Sequence, residues 1–154
     1  MDIKELVRRL IKKHGTTNPY TIIKEIGITI VYEDLGTING YFNKLLRNKQ
    51  IHINQNLTER EELLTICHEL GHAIMHPNVS TPFLISSTYL SVNKLEIEAN
   101  TFAINLLIQD ADLIEYQEYS TEQLSKLFGY RKELIELRMQ NIDGGYCMQE
   151  DYVR

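Results

Sequence analysis

The chain contains no apolar run near the eighteen or more residues that a membrane span requires. Its opening stretch, MDIKELVRRLIKKHG, interleaves charge with apolar side chains and has no continuous hydrophobic signal region. Neither membrane insertion nor export is expected, and the expected location is the cytoplasm. Cysteine is scarce: Cys67 and Cys147 provide no disulfide framework and no C-x-x-C pair of thiolates, which suits a reducing compartment. Any metal must find other donors. Three prolines and eight glycines among 154 residues, with 43% hydrophobic and 24% charged residues, exclude the collagen-like, low-complexity and disordered classes. Basic excess is lacking too. Sixteen Lys and Arg stand against 21 Asp and Glu, a net charge of −5, which disfavours the phosphate neutralisation behind non-specific nucleic-acid binding. A chain of this length is expected to form a single domain around one core.

What is present is a series of strong local signals. Ile3, Leu6, Val7, Leu10 and Ile11 recur at helical spacing and His14-Gly15 closes the pattern, predicting a helix over 2–14 whose basic residues (Arg8, Arg9, Lys12, Lys13) form a solvated face. Asn18-Pro19 opens a second short helix with Ile22, Ile23 and Ile26 on its buried side. The period then changes. Residues 28–32 (ITIVY), 38–43 (INGYFN) and 50–54 (QIHIN) are β-branched or aromatic runs, expected to form a small antiparallel sheet. Thr58 and Glu61 make a capping box that opens a long helix to about His76, before Pro77. Residues 77–92 lack periodicity and read as a loop. Asn93 and Glu96 are expected to cap the next helix, whose apolar stripe is Leu95, Ala99, Phe102, Ala103, Leu106 and Leu107. Ser120 and Gln123 form a third capping box for a helix ending near Gly129; another helix spans 131–140, and 141–154 read as a frayed tail.

The informative segment is His68-Glu69-Leu70-Gly71-His72, an H-E-x-x-H inside the capped helix. Residues i and i+4 share a face about 6 Å apart along the axis, so two imidazoles can converge on one ion about 2.0–2.1 Å from each nitrogen. Glu69 falls about 60° around the helix from His72, beside the place where an activated water would sit. Zinc needs at least one more protein donor, with water completing a catalytic site. Three candidates are within reach: His76, Glu96 and Glu98. His76 lies about 12 Å along the axis from His68, too far for three histidines to share one ion without distortion, so it reads as a polar helix end or as a contact to a ligand side chain or substrate rather than as a third donor. The stretch from His72 to Glu96 is long enough for a loop and a return to the cleft by a second helix, as in gluzincins. The fold class expected is α+β, with N-terminal helices and the sheet (1–57), a zincin-like pair of active-site helices (58–108), C-terminal helices (109–140) and the tail, in one metallopeptidase domain.

HELGHAIMHP followed by LEIEANTFAINLL resembles the ImmA/IrrE family of zinc metallopeptidases, and the upstream NPYTIIKEIGITI and IHINQNLTEREELLTI are similar to that family's N-terminal half. The likeness covers about residues 18–108. Members often end the second motif in Leu-Leu-Met-Pro, where this chain follows Leu106-Leu107 with Ile108-Gln109. The resemblance implies that His68, His72 and a glutamate of LEIEAN hold zinc, with Glu69 as general base for water attack on a peptide carbonyl. It also implies, for ImmA-type members carried on prophages and other mobile elements, site-specific cleavage of a helix-turn-helix transcriptional repressor.

Helical geometry weighs the two glutamates. With Leu95 at zero, the apolar residues span about −20° to 120°; Glu96 falls inside that arc and Glu98, at about −60°, just outside it, where solvation is cheaper. A carboxylate facing the core needs a cation, so Glu96 is the expected third ligand. Asn100, four residues on, matches an E-x-x-x-N/D pattern in which the later residue supports a ligand histidine, and a plain solvated asparagine is an equal reading of it. Tyr41, His76 and Tyr89 are the candidate donors to a transition-state oxyanion. Cys67 reads as a buried helix cysteine, and His14 and His52 as structural. Two other function classes stand beside the peptidase. One is a zinc-bearing protein that inactivates a repressor by binding alone. The other is DNA binding through the last two helices, but residues 120–140 hold four basic and three acidic groups, so core capping or partner docking is the expectation there.

Overall fold

The helix ends follow the caps written in the sequence. Asp2 accepts the Glu5 N–H to start α1 (Ile3–His14), which ends at Gly15 in the left-handed region. Asn18 accepts the Tyr20 N–H ahead of α2 (Pro19–Glu25). After three strands, β1 (Thr29–Glu33), β2 (Gly40–Leu45) and β3 (Asn48–Asn54), both bonds of the Thr58–Glu61 box start α3 (Glu59–Met75). The chain continues with α4 (Tyr89–Leu107), α5 (Asp110–Glu115), α6 (Thr121–Phe128) and α7 (Lys132–Met139). The structure, a computed structural model, describes residues 1–79 and 89–142, and of 89–93 the backbone only. Most of the expected loop and nearly all of the expected tail, Cys147 included, lie outside the described residues.

The sheet has the order β1-β3-β2. β2 and β3 form the expected antiparallel pair, with Phe42 opposite Ile51, whereas β1 runs parallel to β3 with Ile30 beside Ile51. The wholly antiparallel expectation is therefore corrected for β1. β3 takes the centre because its Ile51 and Ile53 are fully buried. The link from β1 to β2 thus skips one strand position, which leaves β1 and β3 pointing the same way. Phe42, Ile51 and Ile53 join Ile66 and Leu70 of α3 in one core, so the alternating residues Tyr41 and His52 face away from that helix.

α4 begins at Tyr89, four residues ahead of the expected cap. Asn93 and Glu96 therefore lie inside the helix and form no capping box, which leaves the Glu96 carboxylate available to the neighbouring helix. α4 is also buried on two sides: Phe102, Ala103 and Leu106 enter the core beneath the sheet, while Ile104 enters a second cluster with Ile108, Leu113, Leu124, Leu134 and Ile135. α6 and α7 cap this second cluster, as expected of core-covering helices. α5 was not foreseen; the Gln109 N–H donates to the Asp112 carboxylate at 2.9 Å, so the chain that follows Leu107 turns directly into a new helix.

Gly71 sets the approach of α4 to α3. A Cβ at that position would stand 3.0 Å from Phe102 Cδ1 and 3.2 Å from its Cβ, so a larger residue would wedge the two helices apart. No helix among the described residues is long and apolar enough to cross a membrane.

Candidate metal centre

α3 presents His68 and His72 one turn apart, and the close packing against Gly71 brings Glu96 of α4 over them. The two Nε2 atoms stand 3.1 Å apart. Glu96 reaches both, with Oε2 at 3.1 Å from His68 and Oε1 at 3.0 Å from His72. His68, His72 and Glu96 are a group whose donor atoms can hold one metal ion. A tetrahedral ion with bonds of about 2.0–2.1 Å separates its ligand atoms by about 3.3–3.4 Å, so the observed spacing needs an expansion of only a few tenths of an ångström. Among the described residues no Lys or Arg forms an ion pair with Glu96, so the donor set fits a cation that the chain does not itself supply.

The electrostatics agree. Burial raises the Glu96 carboxyl, but hydrogen bonds and charge from His68 and His72 outweigh it and hold the group far below the ordinary carboxylate range. Burial, with the neighbouring His68 and His76 imidazoles adding to it, lowers His72 despite its hydrogen bond to Glu96, which favours the neutral form that ligates. Burial lowers His68 as well, yet its hydrogen bond to Glu96 and the charges of Glu69 and Glu96 raise it on balance. The acidic surroundings thus draw positive charge to the position where His68 would meet a metal. Glu69 is buried beside it, 3% exposed.

The far ring nitrogens are held too. His68 Nδ1 lies 2.8 Å from Asn100 Oδ1, the support expected of that asparagine. His72 Nδ1 lies 3.1 Å from His76 Nδ1, and His76 Nε2 lies 2.7 Å from Glu98 Oε2. Glu98 departs from its expected solvation: its side chain is 23% exposed against 36% for Glu96, because His76 gives it a partner just outside the apolar arc. That pairing escaped the sequence reading; its signal was His76 at i+4 from His72 with a spare carboxylate two residues after Glu96. Gly71 escaped it as well, although a glycine inside a strongly capped helix costs about 1 kcal/mol and so marks a close approach.

None of the other described candidates adds a donor to the triad. Tyr41 faces away from α3, its hydroxyl donates to Glu33 at 3.3 Å and its ring stacks on His52 at 4.4 Å, so it is no oxyanion donor. His76 has both ring nitrogens engaged. The Tyr89 side chain lies outside the described residues. Cys67 is fully buried and its thiol is pushed up by that burial, so it stays protonated. His14 pairs with Glu25, and His52 Nδ1 lies 2.8 Å from Glu33 Oε1.

The peptidase M78 family model, described as the IrrE N-terminal-like domain, matches residues 23–140. The chain belongs to that family. The match reaches past the motifs into α7, so α5 to α7 are part of the family's unit. Over 139 residues the chain is 41% identical to immunity region protein 2 of Bacillus phage phi105, with 88% of each covered. It is 34% identical over 146 residues to metallopeptidase ImmA of Bacillus subtilis strain 168, covering 91% of this chain and 85% of that relative. A solved structure, a Mycobacterium tuberculosis transcriptional regulator, matches 94% of this chain with a TM-score of 0.61 at 15% identity. The chain spans about half of that protein, 48%, and the likeness is one of fold alone. M78 membership together with the His-His-Glu cluster makes the chain a zinc metalloendopeptidase.

Proposed function

We propose that the chain is a cytoplasmic, single-domain anti-repressor: a zinc endopeptidase that cuts a helix-turn-helix transcriptional repressor at one site. The observation that carries the chemistry is the convergence of two Nε2 atoms and one carboxylate within 3.1 Å of one another, with no Lys or Arg among the described residues paired to that carboxylate. His68, His72 and Glu96 hold the ion. When bound, zinc supplies Lewis acidity, activating water and polarising the scissile carbonyl. Glu69 accepts a proton from the attacking water and passes it to the leaving amide nitrogen, giving two peptides. Its burial keeps competing solvent away from the proton in transit. The repressor target rests on the resemblance to ImmA-type members and on a relative named for a phage immunity region.

The test pairs the purified chain with the product of the neighbouring open reading frame in the presence of zinc. One cut in that repressor, absent with Glu69→Gln, is the expected result. Repressor inactivation that persists in Glu69→Gln without any cut assigns the chain to inhibition by binding, and no effect on any neighbouring repressor removes the target assignment.

A further inference from the structure

His68 and His72 are backed unequally. Behind His68 stands a neutral amide, Asn100 Oδ1. Behind His72 stands a second imidazole, and behind that a carboxylate. We propose that Glu98, acting through His76, fixes the tautomer and orientation of His72 and strengthens it as the better metal donor of the pair. This rests on the reading that His72 holds zinc.

With a metal in place of the Glu96 carboxylate as the partner of His72 Nε2, the ring protons have one consistent assignment. For His72 to present an Nε2 lone pair, its proton must sit on Nδ1. That N–H points at His76 Nδ1, 3.1 Å away, which must then be an acceptor. The His76 proton is therefore on Nε2, where it donates to Glu98 Oε2 at 2.7 Å. Each donor meets one acceptor, and the line ends on a group able only to accept when ionised. The negative charge on Glu98 makes His76 a stronger acceptor, which pulls the His72 Nδ1 proton and enriches the Nε2 lone pair. Burial makes the chain of bonds exclusive: His72 is 1% and His76 8% exposed, so water offers His72 no competing partner. The His76 backbone caps α3 by donating to His72 O, so changing the His76 side chain leaves the helix end intact. Glu98 is a positioning residue, separated from His72 by a whole imidazole.

Zinc affinity, by competition with a chromophoric chelator, and the nitrogen-detected tautomer of His76 in zinc-loaded protein together test this. The expected His76 tautomer in the wild type is Nε2–H. Glu98→Gln should stay folded by circular dichroism, lose the preference for that tautomer and bind zinc about 10-fold more weakly, and His76→Phe about 10–100-fold more weakly. His76→Gln, which keeps a carbonyl acceptor, should recover part of that loss. A zinc-loaded wild-type His76 protonated on Nδ1, or a folded Glu98→Gln with unchanged zinc affinity, overturns the proposal, as does a Glu98→Gln that loses zinc as completely as Glu96→Gln. Failure of the underlying reading looks different: Glu96→Gln would then bind zinc like the wild type.

Discussion

Two clusters of charge in this molecule solve one problem in opposite ways. At the start of α5, Asp110 is met by cations that the chain provides: Arg138 of α7 at 2.5 Å, Lys4 of α1 at 3.0 Å and Arg8 of α1 at 3.2 Å. Arg138 is 2% exposed and also donates to the Ile108 carbonyl at 2.7 Å, so the cluster ties the first and last helices to the end of α4. At the metal centre, Glu96 faces two imidazoles and Glu98 a third, with no Lys or Arg paired to either carboxylate among the described residues. The first cluster is complete as it folds. The second is a set of donors that can take a cation from outside, and that difference separates a group of charges serving structure from one suited to chemistry.

The largest effect that can break this comparison is kinetic. Glu69→Gln keeps the donors and their spacing, so zinc content should be unchanged while cleavage of a peptide substrate falls about 10³-fold, the range of a lost general base. Equal loss of zinc and activity would mean that Glu69 belongs to the donor set. Next in size is Arg138→Met, which takes one of three cations from Asp110 and the side-chain donor from the Ile108 carbonyl. The expected cost is about 3 kcal/mol in a denaturant titration, reduced from the upper end of the range because Lys4 and Arg8 remain. That loss should be the same with and without zinc if the two clusters are independent.

Zinc itself sharpens the contrast. At a free concentration about 100 times its dissociation constant it should stabilise the wild type by about 2.7 kcal/mol, and Glu96→Gln by far less. The smallest expected effect is the pH dependence at Asp110. Burial raises its carboxyl, but the hydrogen bond from Arg138 and then Lys4 outweigh burial and lower it. A group lowered on folding contributes stability above the ordinary aspartate value, near pH 4, and that contribution disappears as pH falls through the folded value. Melting curves should therefore separate wild type from Asp110→Asn at neutral pH, and the gap should close only as pH falls from about 4 through the lowered folded value. A gap that persists in acid would place the effect of Asp110 elsewhere.

How much of this was legible depends on the range of each interaction. Caps at Asn18, Thr58 and Ser120 are written within four residues and were read with their ends. The inward turn of Glu96 followed from one helix's angular arc, and the structure brings that side chain onto both imidazoles. Strand order was not legible, because the central place of β3 is decided by burial against α3 rather than by anything within the strands. The start of α4 was misplaced since Asn93 and Glu96 mimic a cap inside a helix already begun. Its second buried side was missed because Ile104 lies behind the stripe that marks the first, and its neighbours Leu124 and Leu134 come from distant segments. Glu98 read as solvated for the same reason: its partner, His76, is 22 residues earlier on another helix.

The most direct test of the donor cluster is metal content measured by mass spectrometry on purified wild type, Glu96→Gln and Arg138→Met. The expected result is about one zinc per chain in the wild type, one retained in Arg138→Met, and almost none in Glu96→Gln. A folded Glu96→Gln that keeps one zinc per chain, or a wild type that cleaves its substrate after the metal has been removed, would contradict it.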